Sequence, residues 1–309
     1  MEMSLLLIQT ISQMFIMMFF GYILVKSKLL KTEDSKVLSL VLLYAVCPCT
    51  IIKAFLIDAT PEKMQGLLFS FGGSFAIIVV FMLLTKILGK IFGLTQIEKA
   101  SIIYSNCGNI VIPIVVSVLG SEWVFYTSGF IVIQTILLWT HGKRLVCNEK
   151  GFDLKKIFGN VNIIAIIIGM IMFAFNLRLP TIVMSTFESV GSMMGPMGMI
   201  TIGMLIGDMH LPDIFKDKRT YLIAFLRLVV APLVIVVAFK LLNVTSWSAD
   251  APTIFMVLLL QASAPVAQTV TQFAQLYNKH PGYASIMNVM TVIFSILTMP
   301  LMIMLYQMF

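Results

Sequence analysis

The sequence predicts an all-α polytopic membrane protein, with ten transmembrane helices forming two inverted five-helix repeats in which spans 4 and 9 are broken and cross. Three observations predict it. The chain of 309 residues is 59% hydrophobic and 11% charged, with a mean hydropathy of +1.00, which leaves no room for a separate soluble domain. Its basic residues gather in alternate loops. Two apolar segments, SNCGNIVIPIVVSVLG at 105–120 and LLQASAPVAQTVTQFAQLY at 259–277, each carry a proline amid small and polar residues.

Reading apolar runs of about 20 residues as spans gives, in order, 4–25, 36–57, 66–88, 100–119, 122–140, 161–176, 181–207, 220–242, 252–277 and 283–307. No basic stretch precedes the first run, so span 1 is expected to stay in the mature chain rather than leave as a signal peptide. One set of loops holds Lys26, Lys28, Lys31 and Lys36, then Lys86, Lys90 and Lys99, then Lys143, Arg144, Lys150, Lys155 and Lys156, then Lys216, Lys218 and Arg219, and last Lys279. The opposite set holds only Lys63 and Arg178. The positive-inside rule makes the first set cytoplasmic, so both termini are expected to be extracytoplasmic and the number of spans even. The net charge of +7 is then a topology signal, compatible with contact to anionic membrane lipid, and gives no reason to expect nucleic-acid binding. Cys47, Cys49 and Cys107 fall in spans and Cys147 in a cytoplasmic loop, a distribution that implies neither a disulfide framework nor a metal site.

Five spans lie before the basic loop at 141–160 and five after it, which divides the chain into 1–140, a cytoplasmic connector at 141–160, and 161–309. An odd number per half inverts the second relative to the first. The prolines agree, since Pro48 precedes Pro113 by 65 residues and Pro196 precedes Pro265 by 69, as repeated kinks would. The loop's tail, FDLKKIFGN, reads as a plain connector or a short interfacial turn.

Proline removes a backbone donor and blocks the carbonyl one turn earlier, and lipid cannot satisfy what it frees. The breaks at Pro113 and Pro265 are therefore expected beside a substrate cavity near the bilayer midplane. Asn106, Asn109, Pro113 and Ser117 recur at helical spacing, which would place both amides on one face, either lining that cavity or tying packed helices together. Span 9 offers Ser263, Pro265, Gln268, Thr269 and Gln272, with Gln261, Gln268, Gln272 and Gln275 on one helical stripe. Free donors at half-helix N-termini would hold an anion without a buried lysine. Polar stripes in span 10 (Asn288, Thr291, Ser295, Thr298) and span 1 (Gln9, Gln13) read as interhelical hydrogen bonding.

Three ionisable residues fall inside spans: Lys53, Glu188 and Arg227. Lys53 and Glu188 stand at similar depths in spans 2 and 7 and are expected to pair, as a structural ion pair or a coupling site. Arg227, within reach of the cytoplasmic interface, is expected to snorkel there, with a functional intramembrane charge as the alternative. The histidines, His141, His210 and His280, are scattered, and no HExxH, GxGD, P-loop or paired intramembrane aspartates occur. No enzyme, cofactor or metal is expected; proton or sodium coupling stays open.

The runs SNCGNIVIPIVVSVLG and LLWTHG resemble spans 4 and 5 of the auxin efflux carrier family in its bacterial branch, and QASAPVAQTVTQFAQLYNKHPGYASIMNVMTVIFSILTMPLMI is similar to its last two spans. RLVVAP and GMITIGMLIG resemble family segments in spans 8 and 7, so the likeness covers nearly the whole chain. It implies a carrier related to plant PIN-type proteins, in which spans 1, 2, 6 and 7 form a scaffold, often dimeric, and spans 3–5 and 8–10 a moving transport domain. Asn109, Pro113 and Pro265 match the family's crossover, whereas Val111 and Ile112 stand where it often has glycine. The expected function is a secondary active or facilitative plasma-membrane carrier of a small organic anion, a carboxylate such as malate, malonate or an aromatic acid, working by elevator-like alternating access. A gated channel or membrane sensor using the same breaks is the competing reading.

Overall fold

A computed structural model describes residues 13, 16–147, 154–207 and 217–308, which are almost entirely helical and include no strand. Among the described residues, five helices are long and apolar enough to cross a membrane: α2 (Thr32–Phe55), α3 (Pro61–Phe92), α6 (Ser121–Val146), α11 (Lys218–Leu241) and α14 (Pro281–Gln307). Shorter apolar helices are α1 (Ile16–Lys26), α8 (Val161–Ala174) and α12 (Ala251–Ser263). Between them stand α4 (Gln96–Ile103), α5 (Val111–Val118), α7 (Leu154–Phe158), α9 (Thr181–Gly191), α10 (Met194–Gly207) and α13 (Gln268–Leu276). Large apolar side chains such as Leu68, Phe75, Leu83 and Ile87 on α3 face outward, as a lipid solvent requires.

Contacts divide the chain into two compact units. The first takes the described residues within Met1–Met64, Gly108–Phe125 and Phe158–His210, and the second those within Gln65–Cys107, Tyr126–Ile157 and Leu211–Phe309. The division interleaves the two halves of the sequence.

In the first unit, α1 and α10 touch backbone to backbone. A side chain at Gly21 would overlap the Ile200 carbonyl and one at Gly203 the Met18 carbonyl, so only glycine permits this approach, the usual way to pack helices in lipid. Phe55, Phe125 and Phe173 form a buried aromatic run, with ring centroids 4.7 and 5.0 Å apart. Pro48 sits inside α2 without breaking it because the preceding turn, Leu42–Val46, widens by one residue and the Cys47 N–H reaches back to the Leu42 carbonyl. Pro232 in the second unit is accommodated by the same device, through Ala231 and Leu226.

The structure corrects several boundaries. Span 7 is interrupted at Ser192 and Met193, so Pro196 lies in the first turn of α10. There its missing N–H costs no hydrogen bond. Helix α6 runs past 140 to Val146, and α7 interrupts the connector.

Candidate functional site

Span 4 stops being helical before its proline. Helix α4 ends at Ile103, Tyr104 is extended (φ −101°, ψ 127°), and α5 begins only at Val111. Pro113 is thus the third residue of a new helix, where its absent N–H would have no intrahelical partner. It packs in the first unit against Gly198, where an added Cβ would stand 2.9 Å from its ring. Asn106 and Asn109 precede α5 in irregular backbone, so the helical spacing that placed them on one face does not apply. Asn106 belongs to the second unit and Asn109 to the first. Neither amide hydrogen-bonds to a described residue; Asn106 is half-buried and Asn109 exposed. Val111 and Ile112 are fully buried.

Span 9 breaks at its proline. Helix α12 ends at Ser263, Ala264 is extended (φ −65°, ψ 154°), and Pro265 lies in the link before α13. The intended glutamine stripe is therefore split: Gln261 is buried and donates to the Thr127 carbonyl at 3.0 Å, Gln268 is exposed, and the side chains of Gln272 and Gln275 lie outside the described residues. The buried Ser263 Oγ has no hydrogen-bond partner among them.

Within the second unit the two breaks satisfy each other. Ser105 and Val266 form an isolated antiparallel bridge, in which the Asn106 N–H donates to the Pro265 carbonyl (2.8 Å) and the Ala267 N–H to the Tyr104 carbonyl (3.0 Å). In such a pair the polar groups of the two central residues point outward and need side-chain partners. Gln134 on α6 takes both from Ser105, accepting from its N–H (2.9 Å) and donating to its carbonyl (2.7 Å). On the other side, the Val266 N–H donates to Thr291 Oγ1 (3.2 Å) and Asn288 donates to the Val266 carbonyl (3.0 Å), both from α14. Asn288 and Thr291 thus bond to the link of span 9 rather than to a neighbouring helix, while Ser295 donates to the Val292 carbonyl of its own helix (2.7 Å) and Thr298 Oγ1 has no hydrogen-bond partner among the described residues.

Arg227 completes the arrangement, and it does not snorkel. The side chain is fully buried; Nε and Nη2 donate to the Ala264 carbonyl (3.1 and 2.7 Å) and Nη1 to the Ile102 carbonyl (2.9 Å). One guanidinium therefore caps the C-terminal ends of α4 and α12 together. Each helix end carries roughly half a negative charge, so the two supply about the counter-charge of a carboxylate, and no carboxylate among the described residues pairs with Arg227. The Phe81 ring lies 5.4 Å from the guanidinium carbon. The interface pull that motivated snorkelling acts on long, free side chains, whereas this one is held by three bonds.

Lys53 and Glu188, in the first unit, form the expected ion pair at 2.7 Å, with side chains 23% and 65% exposed. Gln13 on span 1 is exposed, and Gln9 and His210 lie outside the described residues.

Three further polar residues carry no sequence pattern that marks them. Gln134 is a lone amide in an apolar run, which was its only signal. Tyr104, buried, donates to the Leu137 carbonyl (3.0 Å) and contacts His141 Nδ1 (2.8 Å). Glu98, 1% exposed, receives Arg219 through Nε (2.8 Å) and Nη2 (3.0 Å), Tyr283 OH (2.7 Å) and its capping partner, the Thr95 N–H (2.7 Å). Burial raises this carboxyl, but the bonds from Arg219, Thr95 and Tyr283 outweigh it and bring it down to about 2. The folded-state value lies below the ordinary one of 4.5, so the stabilisation is complete above about pH 4.5 and is lost as pH falls toward 2. It amounts to about 3 kcal/mol. Glu98→Gln is expected to lower the melting temperature at pH 7 and to flatten its acid limb between pH 4.5 and 2; an unchanged limb would show that Glu98 does not govern acid stability.

The family model described as membrane transport protein matches residues 6–159 and 148–303. A comparison with curated proteins found no match.

Proposed function

Because the chain belongs to the membrane transport protein family, the family of auxin efflux carriers, we propose that it is a secondary active or facilitative carrier of a small organic anion in the plasma membrane. Its ten spans form two inverted five-helix repeats, 1–140 and 161–309, with both termini extracytoplasmic, in the bacterial branch of the family. The anion is a carboxylate such as malate, malonate or an aromatic acid.

One observation carries this reading: the breaks of spans 4 and 9 are bridged to each other while the amides of Asn106 and Asn109 bond to none of the described residues. A break maintained only for packing would use its polar side chains internally. Here Gln134 and Asn288 serve the backbone, leaving the amides of Asn106 and Asn109 without hydrogen-bond partners among the described residues. Helix α5 starts without a side-chain cap, so its N-terminal donors suit a negative group. Within the second unit, Arg227 neutralises the C-terminal ends of α4 and α12. The repeat is supported by the parallel service of the breaks, span 5 holding Ser105 as span 10 holds Val266.

Elevator-like motion is supported by the contact division, which gathers spans 1, 2, 6 and 7 in one unit and spans 3, 5, 8, 9 and 10 in the other, with span 4 shared. The first is assigned the scaffold and homodimer role, with Lys53–Glu188 as its structural pair. The second is assigned the transport role.

The test is counterflow in proteoliposomes with labelled malate, malonate and an aromatic acid. Unlabelled anion on the far side is expected to accelerate uptake. Asn109→Ala is expected to weaken affinity about tenfold to a hundredfold, the loss of one amide bond to a charged acceptor, with little change in melting temperature. Flux without trans-stimulation would favour a channel, and normal affinity in Asn109→Ala would move the site elsewhere.

A further inference from the structure

We propose that the basic cavity at the end of α3 seats the phosphate of an anionic phospholipid headgroup. The cavity, about 540 Å³, is lined within the second unit by Leu83, Lys86, Lys90, Gln96, Lys99 and His141, among others, with no acidic residue among the described residues of its wall. None of the three lysines forms an ion pair with a described residue.

Their placement follows from helix geometry. Leu83, Lys86, Ile87 and Lys90 are spaced three and four apart, so they share one face of α3. All four are exposed. Lys86 and Lys90 therefore stand at the end of a strip whose apolar members, Leu83 and Ile87, are 57% and 58% exposed. Lys99 enters from α4, its stem lying over Gly89, where an added Cβ would come within 2.9 Å of Lys99 Cε. Three cations thus converge beside a strip suited to an acyl chain. Basic pockets between helices at the cytoplasmic boundary hold phospholipid headgroups in this way, and the loop charges place this end of α3 on the cytoplasmic side.

The ligand chemistry is a phosphate anion, and the apolar strip favours a lipid over a soluble phosphate. A neighbouring cavity of about 670 Å³ shares Gln96 and His141 but draws its cations from Arg144 and Lys279. No residue of the α3 strip lines it, so it provides the internal control.

The experiment uses the full chain purified in a neutral detergent, with binding followed by native mass spectrometry and melting temperature against phosphatidylglycerol, phosphatidylcholine, glycerol 3-phosphate and inorganic phosphate. Phosphatidylglycerol is expected to bind and raise the melting temperature, and phosphatidylcholine not to. Each lysine contributes about fivefold, so Lys86→Gln/Lys90→Gln/Lys99→Gln should bind about 100-fold more weakly, while Arg144→Gln/Lys279→Gln retains binding. If the triple variant fails to fold, the exposed Lys90→Gln alone should lose about fivefold. Equal stabilisation by glycerol 3-phosphate or inorganic phosphate, lost in the lysine variants, would keep the phosphate site and assign it to a soluble ligand. Undiminished phosphatidylglycerol binding in the lysine variants, or equal binding of phosphatidylcholine, overturns the proposal.

Discussion

Arg227→Ala is expected to be the most damaging single substitution in this protein, lowering stability by about 3 to 5 kcal/mol. Its guanidinium spans the Ala264 and Ile102 carbonyls, and truncation leaves both buried without a donor, at about 1 to 3 kcal/mol each. The two helix ends would also face each other with their partial negative charges uncompensated. Arg227→Lys keeps the charge but replaces a planar fork by a point donor, and should recover part of the loss. Melting temperature and monodispersity in detergent measure both. If Arg227→Ala melts with the unaltered protein, the guanidinium does not hold the breaks. An intact fold with transport lost would instead give Arg227 a role in substrate binding.

The second large effect is expected at Gln134. Gln134→Ala strands the N–H and the carbonyl of Ser105 together, a cost of about 2 to 4 kcal/mol. Gln134→Glu separates the two bonds, because a carboxylate still accepts from the N–H but cannot donate to the carbonyl. Asn288→Ala removes a single bond and should cost less than Gln134→Ala. The order of melting temperatures, Asn288→Ala above Gln134→Ala, checks the bridge geometry. Equal values for Gln134→Ala and the parent protein would mean that the break finds its partners elsewhere.

Both predictions concern residues whose importance the sequence underplayed. Arg227 was visible as a charge in a span, but its depth and partners were not. Gln134 gave no pattern at all. Asn106 and Asn109 were read on a helix that stops at Ile103. Pro113 does not mark the break, because a proline is equally at home in the first turn of a new helix. Pro265 was placed correctly in a break because α12 ends just before it. The Lys53–Glu188 pair was legible because two isolated charges in apolar spans have few alternatives.

The linear order of residues is enough to specify a helical membrane protein of the transport class and to locate two interrupted segments within a few residues. Hydropathy and proline act locally, so a linear reading captures them. How the freed backbone groups are satisfied is visible only in the folded chain. The partners of those groups come from far along the chain: Arg227 reaches carbonyls 37 and 125 residues away, and Gln134 reaches Ser105 across 29. A buried polar group accepts any donor that packing delivers, and no local pattern encodes which one arrives.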